Sequence, residues 1–345
     1  MTTRRAFLRG SLLAGLGVPL GSSLLSGCGS DSSPGVTGAK TLTQISYQLA
    51  WVKNFEFAGS YIAAEKGYYK DEGLEVNLVA GGTTTNFETE VVSKKALVAT
   101  SYAELTGAAL SQGAPIVIIG TIYQKSPYAI ISRAAAPIKT PKDMVGRKIG
   151  LNASTQTAFD TFCAINKIDP KSCQQVPVEV DPAPLATGQV DGWLGYVMDE
   201  PSTLRSRGVE VETLNFGDFG FYNYASVYEV RKDSLKDRRD EIKAFMRAEV
   251  RGWQDAIADP ALAAQLTIDK FGKDLGLDAK AQTLAAAEQN KIVATGDPSR
   301  GILTLDPKVL PLTIPTLKGI GVTTTVDALY DTTVMDEVYG GKTRL

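Results

Sequence analysis

The sequence predicts an α/β protein of two lobes facing one another across a cleft. Three observations lead there. Once an N-terminal leader and tether are set aside, roughly 300 residues remain, enough for about two domains. Strand-like and helix-like patterns alternate through most of them, which is the βαβ rhythm of an α/β domain. Finally, two stretches share one layout of polar turn, short strand and exit loop with an aromatic residue. They are Val92-Ser-Lys-Lys-Ala-Leu-Val-Ala-Thr-Ser-Tyr and Ala186-Thr-Gly-Gln-Val-Asp-Gly-Trp-Leu-Gly-Tyr.

The leader comes first in the chain. Thr3-Arg4-Arg5-Ala6-Phe7-Leu8 matches a twin-arginine export signal. The apolar run that follows, to Leu25, is broken by Gly15, Gly17 and Pro19 and is too weak to persist as a membrane span. Leu25-Ser26-Gly27-Cys28 resembles a bacterial lipobox, in which Cys28 would carry the lipid. Residues 1–28 are therefore expected to be a signal. Residues 29–41, rich in Ser, Gly, Asp and Pro, are expected to be a flexible tether. The expected location is the extracytoplasmic face of the cell membrane, held by lipid.

The next elements alternate. Strands are expected at 45–49, 75–79, 96–99 and 115–120, with helices at 57–66, 86–93 and 103–112. After Pro137 the rhythm restarts. A turn at 140–144 opened by Thr140-Pro141 leads to strands at 148–151, 176–180, 192–196 and 209–214, with helices at 155–166 and 183–187. From Asp237 the pattern turns helical. Ile242, Phe245, Met246, Val250, Trp253 and Ile257 recur at three- and four-residue spacings, giving one apolar face. Two more helices are expected near 261–271 and 279–291.

Composition excludes whole classes of function. Hydrophobic residues at 43%, charged residues at 21% and a net charge of −2 describe an ordinary globular chain with no footprint for nucleic acid. The chain has no histidine, which removes Ser-His-Asp and Cys-His catalysis and the usual transition-metal sites. No metal and no cofactor are expected. Cys163 and Cys173 are open to two readings, a disulfide in an oxidising compartment or two separate buried thiols.

At this point the residues resemble a family. Trp51…Phe57-Ala-Gly-Ser-Tyr…Lys66-Gly-Tyr-Tyr…Glu72-Gly-Leu is similar to the start of solute-binding proteins of the thiamine-pyrimidine precursor (NMT1/THI5-like, SsuA-like) group. So are Ser111-Gln-Gly-Ala-Pro-Ile-Val, Pro141-Lys-Asp-Met-Val-Gly-Arg-Lys-Ile-Gly and Asp191-Gly-Trp-Leu-Gly-Tyr-Val-Met-Asp-Glu-Pro. The resemblance implies a periplasmic-binding-protein, or Venus-flytrap, fold of type II with two hinge crossings, near 124–131 and 223–230. Lobe I would comprise 42–127 plus 228–345, and lobe II 128–227. It also implies a monomer that delivers a small molecule to an ABC permease and its ATPase. Lys94-Lys95 depart from the Gly-rich turn that relatives often carry. The synthase branch of the family depends on histidine and a Cys-rich motif, both absent here, which leaves transport.

In open α/β sheets ligands sit at the carboxyl ends of the strands, and there the chain collects Trp51, Tyr102, Trp193 and Tyr196. Stacking between such rings favours a flat heterocycle, by about 1–3 kcal/mol per ring. Glu200, Asn54, Ser154 and Thr155 are the candidate polar contacts. The expected ligand is a thiamine-related pyrimidine, with another flat heterocycle such as a flavin next. An alkanesulfonate or nitrate would instead sit on the open amides of the Gly81-Gly82 turn. An exported enzyme using Glu56, Asp199 and Glu200 as its acids and bases is the reading from a different class.

Overall fold

The computed structural model describes residues 41–345 apart from 83, 153 and 154. Cys28, the export signal, nearly all of the tether and Ser154 lie outside the described residues. Among the described residues, ten strands form two five-stranded sheets. In chain order they are β1 (Thr43–Gln48), β2 (Leu74–Val79), β3 (Val98–Tyr102), β4 (Ile116–Thr121), β5 (Tyr128–Arg133), β6 (Lys148–Leu151), β7 (Gln174–Pro177), β8 (Gly192–Tyr196), β9 (Val211–Asn215) and β10 (Ala225–Arg231).

The first sheet runs β2-β1-β3-β10-β4 and the second β7-β6-β8-β5-β9. Within each, the strands joined by helical crossovers pair in parallel, and one strand is reversed: β10 against β3 and β4, β5 against β8 and β9. The reversed strands are those on which the chain changes sheets, between Thr121 and Tyr128 and again between Asn215 and Ala225. The uninterrupted apolar runs of β4 and β5 are explained by burial on both faces. The structure thus has two α/β lobes joined by two crossings.

Where β10 begins, the pairing with β3 slips at Ser226, which adopts a left-handed φ of 54°. A bulge of this kind re-aims the strand. Ile122 of the other crossing donates to the Ser226 carbonyl at 2.9 Å, so the two crossings are bonded to each other.

Helices cover the sheets. The apolar stripe of Arg239–Ala258 is buried at Ile242, Phe245, Met246, Val250 and Trp253 and packs on the helix Ala58–Glu65. The two helices approach so closely that a Cβ on Gly252 would lie 2.1 Å from the Gly59 carbonyl. Only glycine fits there. Beneath this crossing Glu249 is fully buried, accepting from Ser60 at 2.9 Å, from Tyr228 at 2.5 Å and from the Tyr69 hydroxyl.

Several local expectations change. The helix expected from Phe57 begins as a 3₁₀ turn, Phe55–Phe57, because Asn54 caps Glu56 through its side chain. Residues 176–180 contribute only to Pro177, which ends β7. The C-terminal stretch holds a helix, Leu310–Gly319, that no pattern marked, since Pro311 and Pro315 read as breakers. Its first proline sits in the opening turn, where a missing N–H costs nothing. Cys163 and Cys173 are both free and buried, which corrects the disulfide reading in favour of two thiols. Among the described residues, no helix is long and apolar enough to cross a membrane.

Candidate binding cleft

The segment after β1 builds one wall. Trp51 lies at the strand exit, half-buried, and its carbonyl accepts the Gly81 amide at 2.9 Å. That bond, and the Thr85 amide donating to the Gly82 carbonyl, occupy amides that an anion would have needed. The turn thus offers fewer open amides than its sequence suggested, the Gly81 and Thr85 amides being taken.

Asn54 does not reach outward. Its carbonyl oxygen accepts from the Glu56 amide at 3.1 Å and its amide donates to the Glu56 carboxylate at 2.8 Å. Asn54 is a buried brace, and the group it presents is Glu56. Sequence reasoning placed Glu56 only in the enzymatic alternative. Burial pushes its carboxyl up to about 7, and the nearby charge of Asp199 adds to the rise.

The opposite wall comes from the exit of β8. Tyr196 ends the strand, and the helix Glu200–Ser206 follows at once. Glu200 turns back onto this exit, accepting from the Tyr196 amide at 2.8 Å and from the Trp193 indole at 3.3 Å. Gly195 makes the room: a Cβ there would lie 2.2 Å from the Glu200 carboxyl carbon. Burial raises the carboxyl of Glu200, and Asp199 raises it further; burial likewise raises Asp199. Trp193 is 1% exposed and belongs to the core of the second lobe, so it supports Glu200 and forms no wall.

Tyr102 and Tyr196 are brought together from the two sheets. Each retains some exposure, and the Tyr196 hydroxyl stands beside that of Tyr102. Tyr196 also meets Tyr123 edge-on at 6.3 Å and Tyr128 at 5.2 Å. A row of phenols thus runs along the cleft between the lobes. Tyr123, in the first crossing, and Tyr128, which opens β5, carried no sequence signal of their own.

Thr155 stands at the start of the helix Gln156–Ile165 with no side-chain bond to the helix amides, and its amide and hydroxyl are bonded to Asn152. The lobes meet at both flanks of the cleft. Lys280 donates to the Ser206 carbonyl at 3.2 Å, and the helix Leu310–Gly319 packs against Gln156–Ile165.

The arrangement offers flat apolar faces beside three clustered carboxyl groups. It can stack a ring and accept hydrogen bonds from ring N–H or amino groups. These three buried carboxyls supply no positive charge to balance a sulfonate or carboxylate.

The chain is similar to known binding proteins. The chain is 29% identical over 248 residues to the riboflavin-binding protein RibY of Chloroflexus aurantiacus, covering 69% of each chain. It is 23% identical to the formylaminopyrimidine-binding protein of Halalkalibacterium halodurans, covering 64% of this chain and 68% of that one. Its fold matches the periplasmic aliphatic sulphonate binding protein SsuA of Escherichia coli with a TM-score of 0.62. That match is 15% identical and covers 81% and 86% of the two chains. The fold is that of the periplasmic binding proteins. Residues 54–263 match the family model described as NMT1/THI5 like, and the chain belongs to that family.

Proposed function

We propose that the protein is the extracytoplasmic solute-binding component of an ABC importer and that it binds a flat nitrogen heterocycle. The observation that carries this reading is the meeting of Tyr102 and Tyr196 beside the carboxyls of Glu56, Asp199 and Glu200. Rings fill the space between aromatic faces, and N–H groups meet the carboxyls. A thiamine-related pyrimidine satisfies both demands, and so does a flavin. The flavin is favoured by the 29% identity to a riboflavin-binding protein.

Anchoring through a lipid on Cys28 and delivery to a permease with its ATPase complete the proposal. The carboxyls serve as acceptors, with no reaction assigned to them.

Thermal melts with riboflavin, an aminopyrimidine precursor and an alkanesulfonate test the reading. A ligand at 100 times its Kd adds about 2.7 kcal/mol to stability. A heterocycle should raise Tm and be recovered unchanged after long incubation. A shift with the sulfonate alone, or recovery of an altered heterocycle, would overturn the reading.

A further inference from the structure

The row of phenols leads to a second polar cluster. Tyr128 donates to one carboxylate oxygen of Glu104 at 3.3 Å, and the Asn223 amide donates to the other at 2.5 Å. Glu104 opens the helix Ala103–Ser111, directly after Tyr102, and retains some exposure. Tyr128 starts the strand after the first crossing, and Asn223 precedes the strand that follows the second. Tyr102 immediately precedes the helix of Glu104, and its hydroxyl is close enough to feel the carboxyls of both Glu56 and Glu104.

The hydrogen-bond inventory at this end is one-sided. Both side-chain donors already point at Glu104, whereas the carbonyl oxygen of Asn223 is buried and has no partner. Asn223 is only 4% exposed, and a buried carbonyl without a partner carries a penalty that a donor would remove. The functions left over are acceptors: the Asn223 carbonyl and the second lone pairs of the Glu104 carboxylate. A single ring N–H satisfies one of them, whereas a chain of hydroxyl or amine groups satisfies several.

We propose that Glu104 and Asn223 form a second subsite of the cleft that receives the hydroxylated chain of an elongated ligand, while its ring lies by Tyr102 and Tyr196. This rests on the heterocycle reading above and narrows it, because a ring carrying a polyol chain spans both clusters and a lone pyrimidine fills one. The ligand class is a flat heterocycle with a donor-bearing tail. Riboflavin has that form.

The test compares riboflavin with lumiflavin, the same isoalloxazine ring with a methyl group in place of the chain. Dissociation constants are measured for the wild type, Glu104→Gln and Asn223→Ala by quenching of ligand fluorescence, with melting curves confirming that each variant folds. Expected is a weakening of riboflavin binding by tenfold or more in both variants, with lumiflavin changed less than twofold. Equal losses for the two ligands would make these residues mere supports of the cleft and overturn the subsite. Unchanged riboflavin binding in a folded variant would overturn it too, leaving the heterocycle reading intact. Failure of the wild type to bind either ring would remove that reading and the subsite with it.

Discussion

The hydroxyl of Tyr102, at the end of β3 in the first sheet, stands beside that of Tyr196, at the end of β8 in the second. Two strands of matching layout therefore bring their last aromatic residues to one point between the lobes. The contact joins residues 94 positions apart, 196 less 102, one from each sheet. A ring bound here would touch both lobes, and its binding would favour this closed arrangement.

Trp51 is the half-buried aromatic on the first-lobe side. Trp51→Ala should weaken binding of the heterocycle at least tenfold, or about 1.4 kcal/mol, with little change in the melting curve of the empty protein. Titration calorimetry checks this, and an unchanged affinity in the folded variant would assign the indole to packing alone.

Gly195 fixes the position of Glu200. Gly195→Ala places a methyl where the carboxyl lies and breaks its bonds to the Tyr196 amide and Trp193. The loss should be on the order of 1–3 kcal/mol, read as a Tm lowered by several degrees together with weakened binding. A variant melting and binding like the wild type would show that Glu200 has another resting place.

The raised Glu56 carboxyl predicts a pH dependence of stability. Its folded value of about 7 lies above the roughly 4.3 of an unfolded chain, so the folded state holds the proton more tightly. The stability this gives is fully present below the unfolded value and is lost as pH rises through about 7. The loss is on the order of 3 kcal/mol between pH 4 and 8. Glu56→Gln keeps an acceptor for Asn54 and has nothing to titrate. The wild type should therefore lose more Tm than this variant between pH 5 and 8. Parallel curves for the two proteins would contradict the assignment.

Cys163 and Cys173 are buried, and burial pushes the Cys163 thiol up to about 12. Thiolate is the reactive form. In a Cys28→Ser variant, both should resist a thiol reagent in the native protein and react with it after denaturation, giving two equivalents per chain. Labelling of the native protein, or fewer than two equivalents in denaturant, would contradict the free, buried pair.

How far the sequence disclosed this can be judged residue by residue. The alternation of strand and helix patterns exposed the α/β class, because period and length are local properties. The places of Tyr102 and Tyr196 at strand ends, and of Trp51 at the exit of β1, were legible as well, because strand boundaries are local. Trp193 shows the limit: strand alternation sends neighbouring residues to opposite faces, and it went to the core. Asn54 and Glu56 exchanged roles because an N-cap spends its side chain on the backbone. Glu104 and Asn223 meet only through the two crossings, a relation among residues 119 positions apart that no local pattern encodes. The helix Leu310–Gly319 was hidden by its prolines.

The most direct measurement is a fluorescence titration of riboflavin against the purified protein, followed by challenge with an aminopyrimidine precursor and then with an alkanesulfonate. The account expects saturable quenching, relieved by the pyrimidine if it shares the ring site and untouched by the sulfonate. Absence of binding by both heterocycles, or displacement of the flavin by the sulfonate, would contradict a cleft built from tyrosines and carboxyl groups to hold a flat, N–H-bearing ring.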